Sequence, residues 1–308
     1  MRPMRARTRI LVTVAAMVIV AAGCSSDGAG ADKAGGSGEP VELVMANPYG
    51  GLDQLPGVAY FVDRAEEISG GEVRITVVDD YGDFESDAEQ RVVRDLSSGE
   101  VDLGWVGTRV FDTMGVKSFQ ALTAPMLVDS YALQDAIIES GITAQMLTAL
   151  DELGVTGLAV LADGLRKPVG VDEPIVGATD WADIGFGTFT SKGQEQAIRA
   201  LGATPSRVIG PYREEAIGDG TIQAFEMGLF IYQHNPTLGH LAPYVAADVN
   251  LWPQMDVLIA DPDRLEALTS DEREWLQQAA KEAASRSAAL ADTEARSIEV
   301  ACDAGARF

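Results

Sequence analysis

Side chains able to do covalent chemistry are few in this chain of 308 residues: two cysteines, Cys24 and Cys302, and two histidines, His234 and His240. The histidines stand six apart beside Pro236, whereas a helical zinc pair would stand four apart with a glutamate between them. There is no Gly-x-Ser-x-Gly elbow, no P-loop, and no Gly-x-Gly-x-x-Gly between a strand and a helix. Carboxylates are abundant, but at a formal charge of −24 most of them form a solvated face rather than acid/base pairs. An enzyme would therefore lack a nucleophile, a base with a partner and a cofactor loop, and neither a metal nor a cofactor is expected. Recognition chemistry remains. Tyr49 and Trp105 stand at or just beyond the ends of expected strands, where open α/β sheets place ligand contacts, although Trp105 could equally be core.

The elements that must position these residues are legible from periodicity. Val41, Leu43 and Met45 alternate with Glu42 and Val44 as a half-buried strand, and Val73, Ile75 and Val77 repeat the pattern. Between them Val58, Phe61, Val62, Ala65 and Ile68 share one helical face, closed by Gly70-Gly71. Ser86-Asp87-Ala88-Glu89 reads as a capping box opening a helix through Val92, Val93 and Leu96, ahead of a strand at Val101 to Trp105. Ile142 to Leu153 gives one more amphipathic helix, followed by an apolar strand from Leu158 to Leu161. From about residue 167 a second unit begins. It has a strand from Ile184 to Phe189, a helix from Ser191 to Leu201, and strands near Thr204 to Val208 and Ile222 to Phe225. Val257 to Ala260 looks like a strand returning to the first unit, and Thr269-Ser270-Asp271-Glu272 caps a long Ala-rich helix. The alternation of strand and helix predicts an α/β fold with a mainly parallel, doubly wound sheet in two lobes.

At the N-terminus Arg2, Arg5, Arg7 and Arg9 precede a 13-residue apolar run, Ile10 to Ala22, too short to span a bilayer and suited to a signal-peptide core. Val20-Ala21-Ala22-Gly23-Cys24 resembles the lipobox of bacterial lipoproteins, with Ala21 where that pattern prefers Leu; an ordinary cleaved leader with Cys24 incidental is the alternative. Cys24 is thus the candidate lipidation site, and the chain is expected to be exported and lipid-anchored to the outer face of the cytoplasmic membrane. Removing residues 1–23 takes away four arginines and no acid, moving the formal charge to −28, which repels nucleic acid and anionic lipid headgroups. Ser25 to Pro40, rich in glycine, reads as a flexible tether. With Cys24 lipidated, Cys302 has no intrachain partner.

Three segments in order resemble the extracytoplasmic solute receptors of tripartite ATP-independent periplasmic (TRAP) transporters: Glu89 to Gly104, "EQRVVRDLSSGEVDLG"; Leu150 to Arg166, "LDELGVTGLAVLADGLR"; and Ala178 to Pro205, "ATDWADIGFGTFTSKGQEQAIRALGATP". Gly218 to Met227 and "LTSDERE" follow in register. The resemblance implies a two-lobed binding protein with a hinge, closing on a small molecule, usually an organic acid, for delivery to membrane permease subunits. After the signal peptide (1–23) and tether (24–40) read above, it divides the chain into lobe 1 (41–165, with a return segment about 252–268), lobe 2 (166–251) and a long C-terminal helix (269–303) laid across the lobes. Together with the strand-end positions of Tyr49 and Trp105, it makes Arg166, Glu226, Met227, Phe189, Trp105, Tyr49 and Glu89 the expected ligand-binding set.

Departures from that pattern bear on the ligand. The family's carboxylate-pairing arginine aligns with Gly187, and its asparagine after Gln-Glu aligns with Met227 in "QAFEMG", while Glu226 and Arg166 are retained. A carboxylate without that arginine forfeits charge-assisted hydrogen bonds of about 1.5–3 kcal/mol each. The ligand is then expected to be less anionic than a C4-dicarboxylate, or to be held by Arg166 alone with an apolar body against Met227, Phe189 and Trp105. Arg166 could instead bridge the lobes, and Phe189 and Met227 could be plain core. On the first of these readings, replacing Arg166 with alanine abolishes binding at little cost in stability. Family members usually continue past the position of Phe308, which would leave Cys302 exposed. An ABC-type or orphan sensor lipoprotein on the same fold, or more remotely a surface enzyme, are the competing functions.

Overall fold

Val41, Leu43 and Met45 lie in strand β1 (Val41–Ala46), parallel to β2 (Val73–Val78) on one side and β3 (Leu103–Gly107) on the other. The computed structural model describes residues 39–308, so Cys24, the expected signal peptide and nearly all of the expected tether lie outside the described residues. Helix α1 (Pro56–Ile68) starts on a proline, which has no N–H to leave unpaired, and stops before Gly70 and Gly71, both at positive φ. Its Val58, Phe61 and Ala65 pack on Leu43, Met45 and Leu103. Helix α2 (Ala88–Ser97) covers the opposite sheet face with Val92, Val93 and Leu96. The Ser86 capping box does not form: Asp87 takes the N-cap position without a side-chain bond, and Glu89 turns inward to accept from the Gly107 N–H and from Arg109. After α3 (Tyr131–Glu139), the helix expected to run to Leu153 divides into α4 (Ile142–Leu147) and a 3₁₀ segment, Thr148–Leu153.

The strand expected at Leu158 to Leu161 is far longer. β4 spans Thr156–Gly170; from Thr156 to Arg166 it pairs with β9 (Trp252–Ala260), and from Arg166 to Gly170 with β7 (Ala224–Gly228). The rest of the second half is β5 (Gly185–Thr188), α5 (Lys192–Leu201), β6 (Thr204–Arg207), α6 (Tyr212–Gly218), α7 (Leu229–Gln233), α8 (Leu238–Leu241) and β8 (Tyr244–Val245). One sheet runs β2-β1-β3-β9-β4-β7-β5-β6, with β8 on β4. The β1–β2, β1–β3, β5–β6 and β5–β7 pairs are parallel, as the alternation of strand and helix implies. β4 and β9 run antiparallel to their neighbours. They carry the chain from one half to the other, so no helical crossover fixes their direction.

Two cores of the first half flank the β1–β3 side of the sheet, and two separate cores, centred on Phe225 with Met227 and on Phe186 with Trp252, serve the second. After α9 (Pro262–Ala267), α10 (Ser270–Ala291) opens on the expected Thr269/Glu272 capping box and lays Leu276, Ala279, Ala280 and Ala283 into the first half. The expected single helix to 303 is broken at Asp292 and Thr293, and α11 (Glu294–Asp303) packs Ile298 and Ala301 into the second half. Aspartate and threonine are weak helix formers, and each segment follows its own core. Lys167 of β4, itself buried, reaches Glu294 at the break, 3.4 Å away.

Candidate ligand-binding cleft

The register of β4 on β9 slips between Ala162 and Leu165, a bulge that takes Asp163 and Gly164 out of the ladder where the strand leaves the first half. Gly164 lies against Gly228, where a Cβ would stand 3.6 Å from the Gly228 Cα, so the two backbones approach closely at this bend. Beside it opens a cavity of about 210 Å³. Tyr49 and Trp105 line it from the first half, Phe189, Met227 and Arg213 from the second, and Asp163 and Arg166 from the crossing strand.

Five of the seven expected ligand-binding residues, Arg166, Met227, Phe189, Trp105 and Tyr49, therefore meet at one cavity. Trp105 belongs to both the core and the wall: it is fully buried, its indole N–H donates to Asn47 Oδ1 at 3.0 Å, and its ring lies 5.5 Å from that of Tyr49. Glu226 and Glu89 stand behind the wall. Glu226 accepts from Arg166 Nε at 3.3 Å, from the Thr188 hydroxyl and from the Trp252 indole N–H, while its backbone carbonyl accepts Arg166 Nη2 at 3.0 Å. This ion pair joins β4 to β7 within the second half and does not bridge the two halves. Both partners are buried, so Arg166→Ala would strand the Glu226 carboxylate; the small stability cost expected for that substitution does not fit the structure.

Two arginines that the sequence reading did not single out complete the picture. Arg109, just past β3, donates to Glu89 Oε1 and Gln254 Oε1, each at 2.8 Å, and to the Tyr49 hydroxyl at 3.2 Å, and its guanidinium stands 3.8 Å from the centre of the Phe189 ring. Burial opposes its charge, but Glu89 and its neighbours hold its pKa above the ordinary arginine value. Gly107 makes the room, since a Cβ there would collide with the guanidinium. Arg213, on α6, is 8% exposed and has its guanidinium 5.1 Å from the Phe225 ring centre. Among the described residues it forms no ion pair, and its Nε has no hydrogen-bond partner. Burial, and then the charge of Arg166, push its pKa down to about 10. In the sequence Arg213 sits before Glu214 and Glu215, a pattern that reads as a solvated helix start; the buried Ala216 three residues on is the one hint of an inward face.

Carboxylates also gather at the crossing. Burial raises the Asp163 pKa to about 6, against the opposing pull of Arg166 and Arg109. Asp256, on β9, accepts from Gln254 Nε2 at 2.7 Å, and burial followed by the charge of Asp163 pushes its pKa well up. Desolvation and Glu89 likewise push the Tyr49 hydroxyl well above its usual value, so it stays protonated.

The halves are bridged over the cavity. Phe84 of the first half rests on Gly210 of the second, where a Cβ would clash with its ring. The Tyr49 and Phe189 rings meet edge to face at 5.9 Å. Asp112 of the first half accepts from Ser191 Oγ (2.8 Å) and from the backbone N–H groups of Lys192 (3.0 Å) and Gly193 (2.8 Å), capping α5 from across the cleft.

The profile of the bacterial extracellular solute-binding proteins, family 7 (DctP), matches residues 53–306. The chain belongs to this family. Its members are solute receptors, not enzymes. A C4-dicarboxylate-binding periplasmic protein of Rhodobacter capsulatus is 24% identical over 170 residues, 55% of this chain and 50% of the relative, so the match spans about half the length of that curated protein. Among solved structures, an extracytoplasmic solute receptor of Bordetella pertussis binding pyroglutamic acid superposes with a TM-score of 0.76 at 17% identity, over 87% of this chain and 86% of its own. A TRAP periplasmic solute-binding protein of Ralstonia eutropha with bound (S)-2-acetolactate gives 0.76 at 19% identity over 86% of each chain. The two-lobed TRAP receptor fold, with its long C-terminal helix, is thus shown for this chain.

Within this family-7 protein, Gly187, where the resemblance led to the expectation of an arginine, is closely surrounded. A Cβ on Gly187 would lie 3.0 Å from Phe225 Cβ and 3.1 Å from Ile222 Cδ1 and Val208 Cγ2, so the space there is closed by apolar side chains. Arg213 stands over that same Phe225 ring. The two histidines are exposed on and beside α7 and α8, away from the cavity, and Cys302 is exposed on α11.

Proposed function

We propose that this protein is an exported receptor that closes around one small organic acid and delivers it to a TRAP-type permease, anchored to the membrane through a lipid on Cys24. The observation that carries this reading is the cavity at the β4–β9 crossing, walled by both halves and faced by the buried guanidiniums of Arg166 and Arg213. Small acids bound by the superposable receptors, pyroglutamic acid and 2-acetolactate among them, support the ligand class. On this reading the hinge lies at the bulge of β4. The lobes are residues 41–165 with the 252–268 return and residues 166–251, and the α10–α11 pair is laid across both. No helix among the described residues is long and apolar enough to cross a membrane, and the N-terminal lipid would supply the attachment.

A thermal-shift screen of the full-length protein against organic acids, amino acids, sugars and uncharged osmolytes tests the reading. Ligand at a hundred times its dissociation constant adds about 2.7 kcal/mol, a rise of several degrees for a body of this size. One or a few small acids should produce it without being turned over. A panel of acids that leaves the melting temperature unmoved refutes the proposal.

A further inference from the structure

Two charged residues lining the cavity have no ion-pair partner among the described residues. Arg213 is one: more than nine-tenths buried, free of any carboxylate within ion-pairing distance among the described residues, and with a buried Nε that bonds to nothing. Asp163 is the other, 8% exposed at the β4 bulge and lining the same cavity. Arg166 is engaged by Glu226 through Nε and Nη2. It also acts on both groups, drawing the Asp163 pKa down and pushing that of Arg213 down, so electrostatically it stands between them. A buried guanidinium with no counter-charge is unfavourable unless something supplies one. Here the cavity is the open side, because Phe225 and its neighbours close the space toward Gly187.

We propose that Arg213, not a residue of β5, receives the ligand's carboxylate, and that Asp163 accepts a hydrogen bond from a hydroxyl or ammonium group at the ligand's other end. This rests on the receptor reading and narrows it: the ligand is a small monocarboxylic acid carrying a donor group, not a dicarboxylate. Guanidinium geometry suits a carboxylate held bidentately, and Arg166 Nη1 remains to share it. At the far end a second carboxylate would face the Asp163 carboxylate, and like charges in one small cavity oppose each other. A hydroxyl or ammonium there gains a charge-assisted bond instead.

Calorimetric titration of the full-length protein with three- to six-carbon acids tests this. The panel pairs hydroxy and amino monocarboxylates with their unsubstituted counterparts and with dicarboxylates. A hydroxy or amino acid should bind at least about tenfold tighter than its unsubstituted counterpart and than any dicarboxylate. Arg213→Ala and the neutral, similarly sized Arg213→Gln should each weaken binding roughly ten- to a hundredfold without lowering the melting temperature of the unliganded protein, because they remove an unpaired buried charge. Asp163→Asn should retain a hydroxy acid within a few-fold and lose an amino acid, which identifies the donor. A dicarboxylate as the tightest ligand, or unchanged affinity in both Arg213 variants, overturns this inference and leaves the receptor reading standing. If no acid in the panel binds, both fall.

Discussion

Arg109 and Arg213 stand beside the same cleft in opposite halves and are buried to a similar degree, and each has an Nε without a hydrogen-bond partner, yet Arg109 has a carboxylate of its own chain, Glu89, and Arg213 has none among the described residues. Arg109 is held by Glu89, Gln254 and Tyr49, in a space that Gly107 leaves open. Arg213 has the Phe225 ring beside it and no carboxylate within ion-pairing distance among the described residues. Burial alone does not separate a structural charge from a functional one; the presence or absence of a built-in counter-charge does. The first half of the wall is preorganised by the fold, and the second is left for the solute to complete.

The largest expected consequence falls on stability, on the engaged side. Arg109→Ala leaves Glu89 buried and unpaired, and breaking a buried pair in this way costs about 3–5 kcal/mol. Chemical denaturation of the unliganded protein should show that loss in full, whereas Arg213→Ala should show none of it. Equal losses at the two positions would erase the distinction drawn between them.

Next in size is the contribution of Asp163, and its sign follows from linkage. Folding raises its pKa from 3.8 to about 6, so the folded protein holds this proton more tightly than the unfolded chain does. The stability this contributes is fully present below about pH 4 and is lost as pH rises through about 6. Asp163→Asn, neutral throughout, should therefore be more stable than the parent at pH 7.5, by about 3 kcal/mol, with the gap closing as pH falls toward 4. Melting temperatures of the two proteins at pH 4.5, 6 and 7.5 decide it. A gap that does not depend on pH would mean that burial at the crossing does not raise the Asp163 pKa.

The contrast between Arg109 and Arg213 also marks how far the sequence could be read. Periodicity located β1, α1, β2, β5, α5 and the Thr269 capping box, since each is decided by side chains within a dozen residues. It shortened β4 to Leu158–Leu161, because the Asp-Gly-Leu-Arg-Lys that continues the strand is polar by type and becomes strand only through pairing with β7 and β9, both distant in sequence. It joined α10 to α11 because the break serves two cores that no local pattern reveals. In the cleft, the family register pointed to Arg166, Met227 and Phe189 and the strand-end rule to Trp105 and Tyr49, and these five line one cavity. It could not show that Glu89 and Glu226 brace arginines from behind, nor that a buried arginine, Arg213, stands twenty-six residues after Gly187 on α6. A compensating residue on another element leaves no local trace; only packing places Arg213 and Gly187 on the same phenylalanine.

The smallest effect sharpens the comparison at the rim, where the two halves meet. Asp112 belongs to the first half but satisfies the Lys192 and Gly193 N–H groups that α5, in the second, cannot pair within its own helix. Ser191, which itself caps Gln194 N, donates to the same carboxylate. These bonds exist only while the halves are together, so Asp112 stabilises closure rather than either half. Losing such a cap costs about 1 kcal/mol, which in a protein that must close to bind becomes roughly a fivefold loss of affinity. Asp112→Ala should show that loss with whichever acid the screen identifies, a larger radius of gyration in small-angle scattering without ligand, and a nearly unchanged unliganded melting temperature. If instead the melting temperature falls and affinity holds, Asp112 is an ordinary helix cap, and the engaged contacts of the first half end at Arg109.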